Sequence, residues 1–133
     1  MSENNTEKVS VNVNIATLSS IDLLVDNGYY SNRSDFINQA VRSALQQHQS
    51  TIDRIIEKNM KQKNEGWFLG ICGYTAEDIE KMYQAGENFD IRGYGLLVVD
   101  KNCDLQKLYA VVRSIHVKGK VRCCPEVKAH YGI

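Results

Sequence analysis

The sequence predicts an α+β protein, and three patterns along the chain support this fold class. Residues 9–15 alternate strictly between β-branched and polar side chains, which is typical of a half-buried strand. Two short helical patterns follow, separated by a turn at Asn27 and Gly28. From Trp67 onward, strand-like apolar segments alternate with short helical ones. These patterns predict a first domain at residues 1–48, a helical connector at 49–66 and a small α+β domain at 67–133.

The strand predicted at residues 9–15 has two different faces, because successive side chains of a strand point to opposite sides. Its apolar face consists of Val9, Val11, Val13 and Ile15. Its polar face consists of Ser10, Asn12 and Asn14. We expect the apolar face to join a core and the polar face to be free for contacts.

Two helices are predicted after this strand. The first runs from about Thr17 to Asp26, and Gly28 supplies the left-handed residue that ends it. The second starts between Ser31 and Ser34, where several side-chain oxygens could cap it. The apolar stripe of the second helix is Phe36, Ile37, Ala40, Val41, Ala44 and Leu45. A unit of about 45 residues buries too little apolar surface to fold alone, so we expect this region to dimerise.

The C-terminal half carries enough apolar residues for a core of its own. Its strands are predicted at Trp67–Tyr74, Ile91–Val99 and Val117–Cys123. Gly93 and Gly95 are expected to break the second strand. Its helices are predicted at Thr75–Ala85, at the helically spaced Leu105, Leu108, Tyr109, Val112 and Ile115, and at a terminal turn opened by Pro125.

Charge and composition narrow the classes of function. The chain has 16 Lys and Arg and 16 Asp and Glu, so its overall charge does not indicate a nucleic-acid partner. The chain has no apolar run of about 18 residues, and its polar start lacks the features of a signal peptide. We therefore expect a cytoplasmic protein whose four cysteines are thiols rather than disulfides. Up to His48 the basic residues are Lys8, Arg33 and Arg42, and the acidic ones are Glu3, Glu7, Asp22, Asp26 and Asp35.

The N-terminal third resembles a known family of small regulators. The segments VNVNI and IDLLVDNGYYSNRSDFINQAVRSAL are similar to the ribbon-helix-helix repressors, which include Arc, the methionine repressor and the plasmid copy-number repressors. The order of the elements is also typical of that family: the strand comes first, followed by the Gly-Tyr turn, Asn-Arg-Ser-Asp-Phe-Ile and the spaced Ala-Val-Arg. The resemblance implies an intertwined dimer, in which two strands form an antiparallel ribbon for the major groove and four helices form a shared core.

The resemblance also implies which residues contact DNA. Ser10, Asn12 and Asn14 take the ribbon positions that read bases, and an Asn amide bonds adenine N6 and N7 together. The ribbon has no Arg or Lys at these positions, so we expect A·T preference. The start of the second helix would hold a phosphate through its backbone amides. The implied phosphate contacts are Lys8, Asn32, Arg33 and Ser34.

The resulting hypothesis is a sequence-specific, double-stranded-DNA-binding transcriptional repressor that acts as a homodimer or a tetramer. The segments GLLVVD, SIHVKGKVR and PEVK resemble the small C-terminal domain attached to many microbial ribbon-helix-helix regulators. That domain would serve oligomerisation or effector binding. Two alternatives stay open: an antitoxin that autoregulates its operon and binds a toxin, and a ligand- or metal-responsive repressor.

No cofactor, metal or catalytic residue is predicted. Nickel-responsive relatives of the family need a His-x-His pair, which this chain lacks. Cys103, His116, Cys123 and Cys124 are weak metal candidates, because adjacent cysteines strain the ligand geometry. The Gly-Tyr-Gly at residues 93–95 is not a dinucleotide fingerprint, and we expect no enzyme activity. Four tyrosines could line a ligand pocket, but core positions with hydrogen-bonded tips are favoured: Tyr74, Tyr83, Tyr94 and Tyr109.

Overall fold

The computed structural model describes residues 6–61 and 66–133, and it contains both helices and strands as predicted. The elements, in chain order, are α1 (Ile15–Asp26), α2 (Arg33–Gln47), α3 (Gln49–Lys61), β1 (Trp67–Tyr74), α4 (Ala76–Gln84), β2 (Phe89–Val99), α5 (Leu105–Val111), β3 (Val112–Arg122) and α6 (Pro125–Tyr131). Backbone contacts divide the chain into an N-terminal unit ending at Arg54 and a C-terminal unit, Ile55–Ile133. Residues 62–65 of the predicted connector lie outside the described residues. Within the described ranges, no helix is long and apolar enough to cross a membrane.

α1 begins and ends through interactions that the sequence supplies locally. The side chain of Asn14 caps its start, with Oδ1 accepting from the Ala16 amide at 2.8 Å. The left-handed Gly28 (φ 82°) follows its end, as predicted, and the Tyr29 amide donates to the Leu24 carbonyl at 3.0 Å. The helix begins two residues earlier than predicted, so Ile15 is its first residue and not the end of a strand.

The strand predicted at residues 9–15 does not form within one chain. Thr6 to Asn14 have no regular secondary structure, and the described strands are β1, β2 and β3 alone. A strand is held by hydrogen bonds to a neighbouring strand, and this single chain offers none to the segment. Alternating side chains therefore specify a strand here only if a second chain supplies the partner.

The C-terminal unit is built on a parallel three-stranded sheet in the order β1-β2-β3. α4 joins the first two strands and α5 the last two. α4, α5 and α6 contribute to one core with the sheet, so they cover the same face. Members of this core include Ile79, Leu108 and Val127 from the helices and Phe68, Ile91, Leu97 and Ile115 from the strands.

The boundary between α5 and β3 differs from the prediction. Val112 and Ile115 continue the helical spacing of Leu108, yet both belong to β3. The β-branched residues from Val111 onward favour a strand, and the alternation of Ile115, Val117 and Val121 matches the period of a strand facing the core. The Tyr131 hydroxyl donates to the Val112 carbonyl at 2.6 Å and thereby attaches α6 to this strand.

Gly93 and Gly95 do not break β2, which is continuous from Phe89 to Val99. A Cβ atom at Gly93 would overlap the Phe68 carbonyl, and one at Gly95 would overlap the Gly70 carbonyl. Gly95 also has a φ of 129°, which other residues rarely adopt. Both glycines are therefore needed for close approach of β1 and β2, and the prediction of a break is wrong.

The second face of this sheet, which we call the open face, points away from the three helices. It carries the side chains that alternate with the core residues, and several are exposed, such as Leu69 (52%), Ile71 (65%) and Tyr94 (53%). Sheets made only of parallel strands are usually covered on both faces. The open face is therefore the exceptional surface of the C-terminal unit.

Candidate nucleic-acid interface

The segment before α1 exposes both its apolar and its polar side chains in the single chain. The four β-branched residues, Val9, Val11, Val13 and Ile15, are 79%, 71%, 38% and 82% exposed. Ser10, Asn12 and Asn14, the predicted base-contact residues, are exposed as well. Each β-branched side chain would gain about 1.5–3 kcal/mol if it became fully buried. These side chains therefore form an uncovered apolar surface in the single chain.

The two asparagines of this segment differ in the hydrogen bonds of their side chains. Asn14 uses its amide oxygen to cap α1. The same oxygen would have to accept from adenine N6 in a bidentate contact, so base readout by Asn14 would share this oxygen with the cap through its second lone pair. Asn12 makes no side-chain hydrogen bond within the part of the chain that the structure describes. Asn12 is therefore the better placed of the two for bidentate contact.

Almost no side chain of α1 or α2 is buried in the single chain. Ile21 is the only buried residue among residues 6–54. The predicted apolar stripe of α2 is largely exposed in the single chain, including Ile37, Val41 and Leu45. An apolar helix face without a cover is a sign of a missing partner.

Arg33, a predicted phosphate contact, pairs with a carboxylate of α1. Its Nε and Nη2 atoms donate to the two oxygens of Asp22, each at 2.8 Å, and both side chains are about half exposed. These hydrogen bonds lower the pKa of Asp22 and raise the pKa of Arg33. The pair links α1 to α2 and leaves Nη1 of Arg33 outside the contact, so phosphate binding would share this guanidinium with Asp22.

The start of α2 is a hydrogen-bonded cap. Asn32 Oδ1 accepts from the Asp35 amide at 2.8 Å, and the Asp35 carboxylate accepts from the Ser31 amide at 2.9 Å. The amide of Ser31 lowers the pKa of Asp35, with a further contribution from Gln39. The amides of Arg33 and Ser34 precede the first intrahelical bond and point to the same end of the helix. These two amides are therefore available as donors at this helix start, although the Asp35 charge opposes an anion there.

The weak metal candidates are not brought together. Cys103 lies in the core, whereas His116 is exposed on the open face. Burial raises the pKa of the Cys103 thiol and that of the half-buried Cys123, which disfavours thiolate ligands. No group of three potential metal ligands occurs in the described ranges.

The tyrosines divide between core and surface. Tyr74 and Tyr109 pack against the core as favoured by the sequence. Tyr83 is 47% exposed on α4, and Tyr94 is 53% exposed on the open face. The core interpretation is therefore wrong for these last two.

Comparison with known proteins assigns the family. The ribbon-helix-helix transcriptional regulator family matches residues 4–128, which spans both units. The chain belongs to this family, and the resemblance seen in its sequence is confirmed. No curated protein and no solved structure matches the chain.

Proposed function

We propose that the protein is a homodimeric, sequence-specific repressor that binds DNA through residues 9–14 of both chains. The observation that carries this proposal is the exposure of Val9, Val11 and Val13 next to a helix pair with one buried residue. Pairing of the two segments as antiparallel strands would supply the missing hydrogen bonds and cover the valines. The domain for DNA binding and dimerisation is then residues 1–48.

Such a ribbon presents Ser10, Asn12 and Asn14 to the major groove, which admits a two-stranded ribbon. Asn12 would make the principal adenine contact, because its side-chain amide makes no hydrogen bond among residues 6–61 and 66–133. Asn14 would contact bases with an oxygen that it shares with its cap. The absence of Arg and Lys at these three positions supports readout of A·T-rich sites.

Phosphate contacts would fix the ribbon in the groove. Lys8 and Ser34 are exposed, and Asn32 and Arg33 lie at the start of α2. This region has more acidic than basic residues, so its non-specific affinity for DNA is expected to be low. Contacts between dimers, or a tetramer formed by the C-terminal unit, would add affinity by multivalency. Repression would follow from occlusion of the promoter.

The antitoxin alternative is less well supported. Antitoxin tails that wrap a toxin are commonly disordered until bound. The C-terminal unit instead has its own core on a continuous sheet. Its fold is that of an independent domain.

A DNA titration with a single substitution tests the proposal. DNA fragments from the source genome that the full-length protein retains define the operator, and fluorescence anisotropy gives its affinity. Asn12→Ala is expected to reduce discrimination between the operator and a variant with one A·T pair changed to G·C by about 1–3 kcal/mol. Asn102→Ala, in an exposed turn of the C-terminal unit, is the matched control. Unchanged discrimination in Asn12→Ala would overturn base reading by this residue.

A further inference from the structure

The open face changes in character from one edge of the sheet to the other. β1 contributes apolar side chains to it, β2 contributes a mixture, and β3 contributes mainly basic ones. Strand register places these side chains in rows across the sheet. From one end of the strands to the other, the rows are Trp67–Arg92–His116, Leu69–Tyr94–Lys118, Ile71–Leu96–Lys120 and Gly73–Val98–Arg122.

An open, shallow cavity of about 600 Å³ lies over the first two rows, within the C-terminal unit. This volume is in the range of small-molecule sites. The residues that line it are Asn59, Trp67, Arg92, Gly93, Tyr94, His116, Val117 and Lys118.

The cavity combines two aromatic rings with two cations. Among the described residues that line it, none is acidic. On the same face, Asp90 accepts from the Ser114 hydroxyl at 2.6 Å and from Arg113 at 3.3 Å. These contacts lower the pKa of Asp90, and the charge of Arg92 lowers it further, so a phosphate would share Arg92 with this carboxylate. Arg92 and Lys118 are thus the cations that face the cavity, and both are exposed.

We propose that this cavity binds a small anionic ligand with a planar ring, of the mononucleotide class. The ring would pack against Trp67 and Tyr94, and the phosphate would bind Arg92 and Lys118. His116, beside Arg92 on the neighbouring strand, would add a ring nitrogen as a further hydrogen-bonding partner for the phosphate. Adjacent strands are about 4.8 Å apart, so Trp67 on β1 and Lys118 on β3 are separated by about 10 Å across the sheet. Tyr94 and Arg92 lie between them on β2. A mononucleotide, with its base and phosphate at opposite ends, is a ligand that spans this separation.

A polynucleotide fits the face less well than a small ligand. A groove for single-stranded nucleic acid needs cations that follow the backbone past successive bases. Here the exposed side chains of β1 beyond Trp67 are Leu69 and Ile71, which offer nothing to a phosphate. Aromatic rings occur only in the first two rows of this face, so the next rows, with Lys120 and Arg122, offer no ring on which a successive base could stack.

Titration of the full-length protein with AMP tests this proposal through the fluorescence of Trp67, the only tryptophan of the chain. We expect saturable quenching with a dissociation constant below about 1 mM. Adenosine and inorganic phosphate each provide half of the contacts and are expected to bind at least about tenfold more weakly. The titration contains no DNA, so its result is independent of the function proposed above.

Two charge variants and one matched control locate the site. Arg92→Ala and Lys118→Ala are each expected to weaken AMP binding about tenfold, because each removes a charge-assisted hydrogen bond. Lys118→Arg keeps the charge and should retain most of the affinity. Lys101→Ala removes a cation from an exposed turn and should leave the affinity unchanged. Circular dichroism confirms that each variant is folded.

Four results would overturn the proposal. The first is no quenching with AMP up to about 5 mM, where even a millimolar site is mostly filled. The second is equal affinity for adenosine and AMP. The third is tighter binding of a single-stranded oligonucleotide that depends on the same residues, which would identify a polynucleotide surface. The fourth is self-association of the protein, measured by sedimentation, that Arg92→Ala abolishes while AMP binding is unchanged.

Discussion

The two units of the chain satisfy their apolar residues in opposite ways. The C-terminal unit buries Leu97, Ile91 and Val111 completely within one chain. Among residues 6–54 of the N-terminal unit, Ile21 alone is buried, and the valines before α1 are exposed. The C-terminal unit therefore has its core within one chain, whereas the proposed dimer would supply the cover that the N-terminal unit lacks.

This difference has a consequence for regulation. If the helix pair is completed by a second chain, formation of the DNA-binding surface depends on protein concentration. A C-terminal unit that is folded at any concentration would then be available to bring two chains together, and a short tether raises the effective concentration of the N-terminal segments. The effect of a substitution should therefore depend on protein concentration when it lies in the N-terminal unit, but not when it lies in the C-terminal unit.

The largest expected effect is that of Leu97→Ala in the sheet core. Leu97 is fully buried, and its truncation should lower the free energy of unfolding of the C-terminal unit by about 2–5 kcal/mol. Chemical denaturation monitored by Trp67 fluorescence measures this loss. The loss should be the same at low and high protein concentration. A strong dependence on concentration would show that this unit, too, needs a partner.

The next largest effect is expected for Val11→Asp before α1. A carboxylate in place of a side chain covered in the dimer should raise the dimer dissociation constant at least about 100-fold. Sedimentation equilibrium measures this constant. Ser10→Asp is the matched control, because residue 10 lies on the opposite face of the proposed ribbon and its substitution should spare the dimer while abolishing DNA binding. Equal loss of dimer in both variants would contradict the proposed facing of the ribbon.

The contrast between the units also explains where prediction from sequence succeeds. The bounds of β1 are predicted as observed, because an apolar segment between turn residues is a local signal. The end of α5 is misplaced, because Leu108, Val112 and Ile115 are spaced as in a helix. Val112 and Ile115 nevertheless belong to β3, where a register shift between Val112 and Ser114 interrupts the two-residue period of the strand. The alternation of residues 9–15 predicts a strand, and the single chain supplies no neighbouring strand for it, so this prediction depends on the proposed dimer.

The open face shows a different limit of prediction. The alternation of Ser114, His116, Lys118 and Lys120 is visible in the sequence as a polar strand face. However, Trp67 and Arg92 become their neighbours only through the parallel register of three strands that are distant in sequence. No local pattern encodes that register, so the cavity appears only in the structure.

A matched pair of helix caps should give smaller effects that differ between the units. Asn32 caps α2, and Thr75 caps α4 in a capping box with Asp78. Asn32→Ala and Thr75→Ala should each cost about 1 kcal/mol of stability. Only Asn32→Ala should also weaken operator binding, because its cap shapes the proposed phosphate site. Thermal denaturation and DNA titration on the same samples separate the two effects, and weaker DNA binding by Thr75→Ala would contradict the assignment.

The smallest effect concerns the ion pair between Asp22 and Arg33. Because the pair lowers the pKa of Asp22 in the folded state, its contribution is present above the ordinary pKa of an aspartate and is lost as the pH falls through the lowered value. Exposed pairs contribute little, so Asp22→Asn should change the midpoint of thermal unfolding near pH 6 by only about a degree or two. The decrease in midpoint between about pH 6 and pH 3 should be smaller in Asp22→Asn than in the wild type, because the variant has no carboxylate to protonate at this position. Asp53→Asn, on α3, is the control for loss of a carboxylate without a cationic partner. An equal reduction in both variants would show that the acid sensitivity reflects general charge and not the link between α1 and α2.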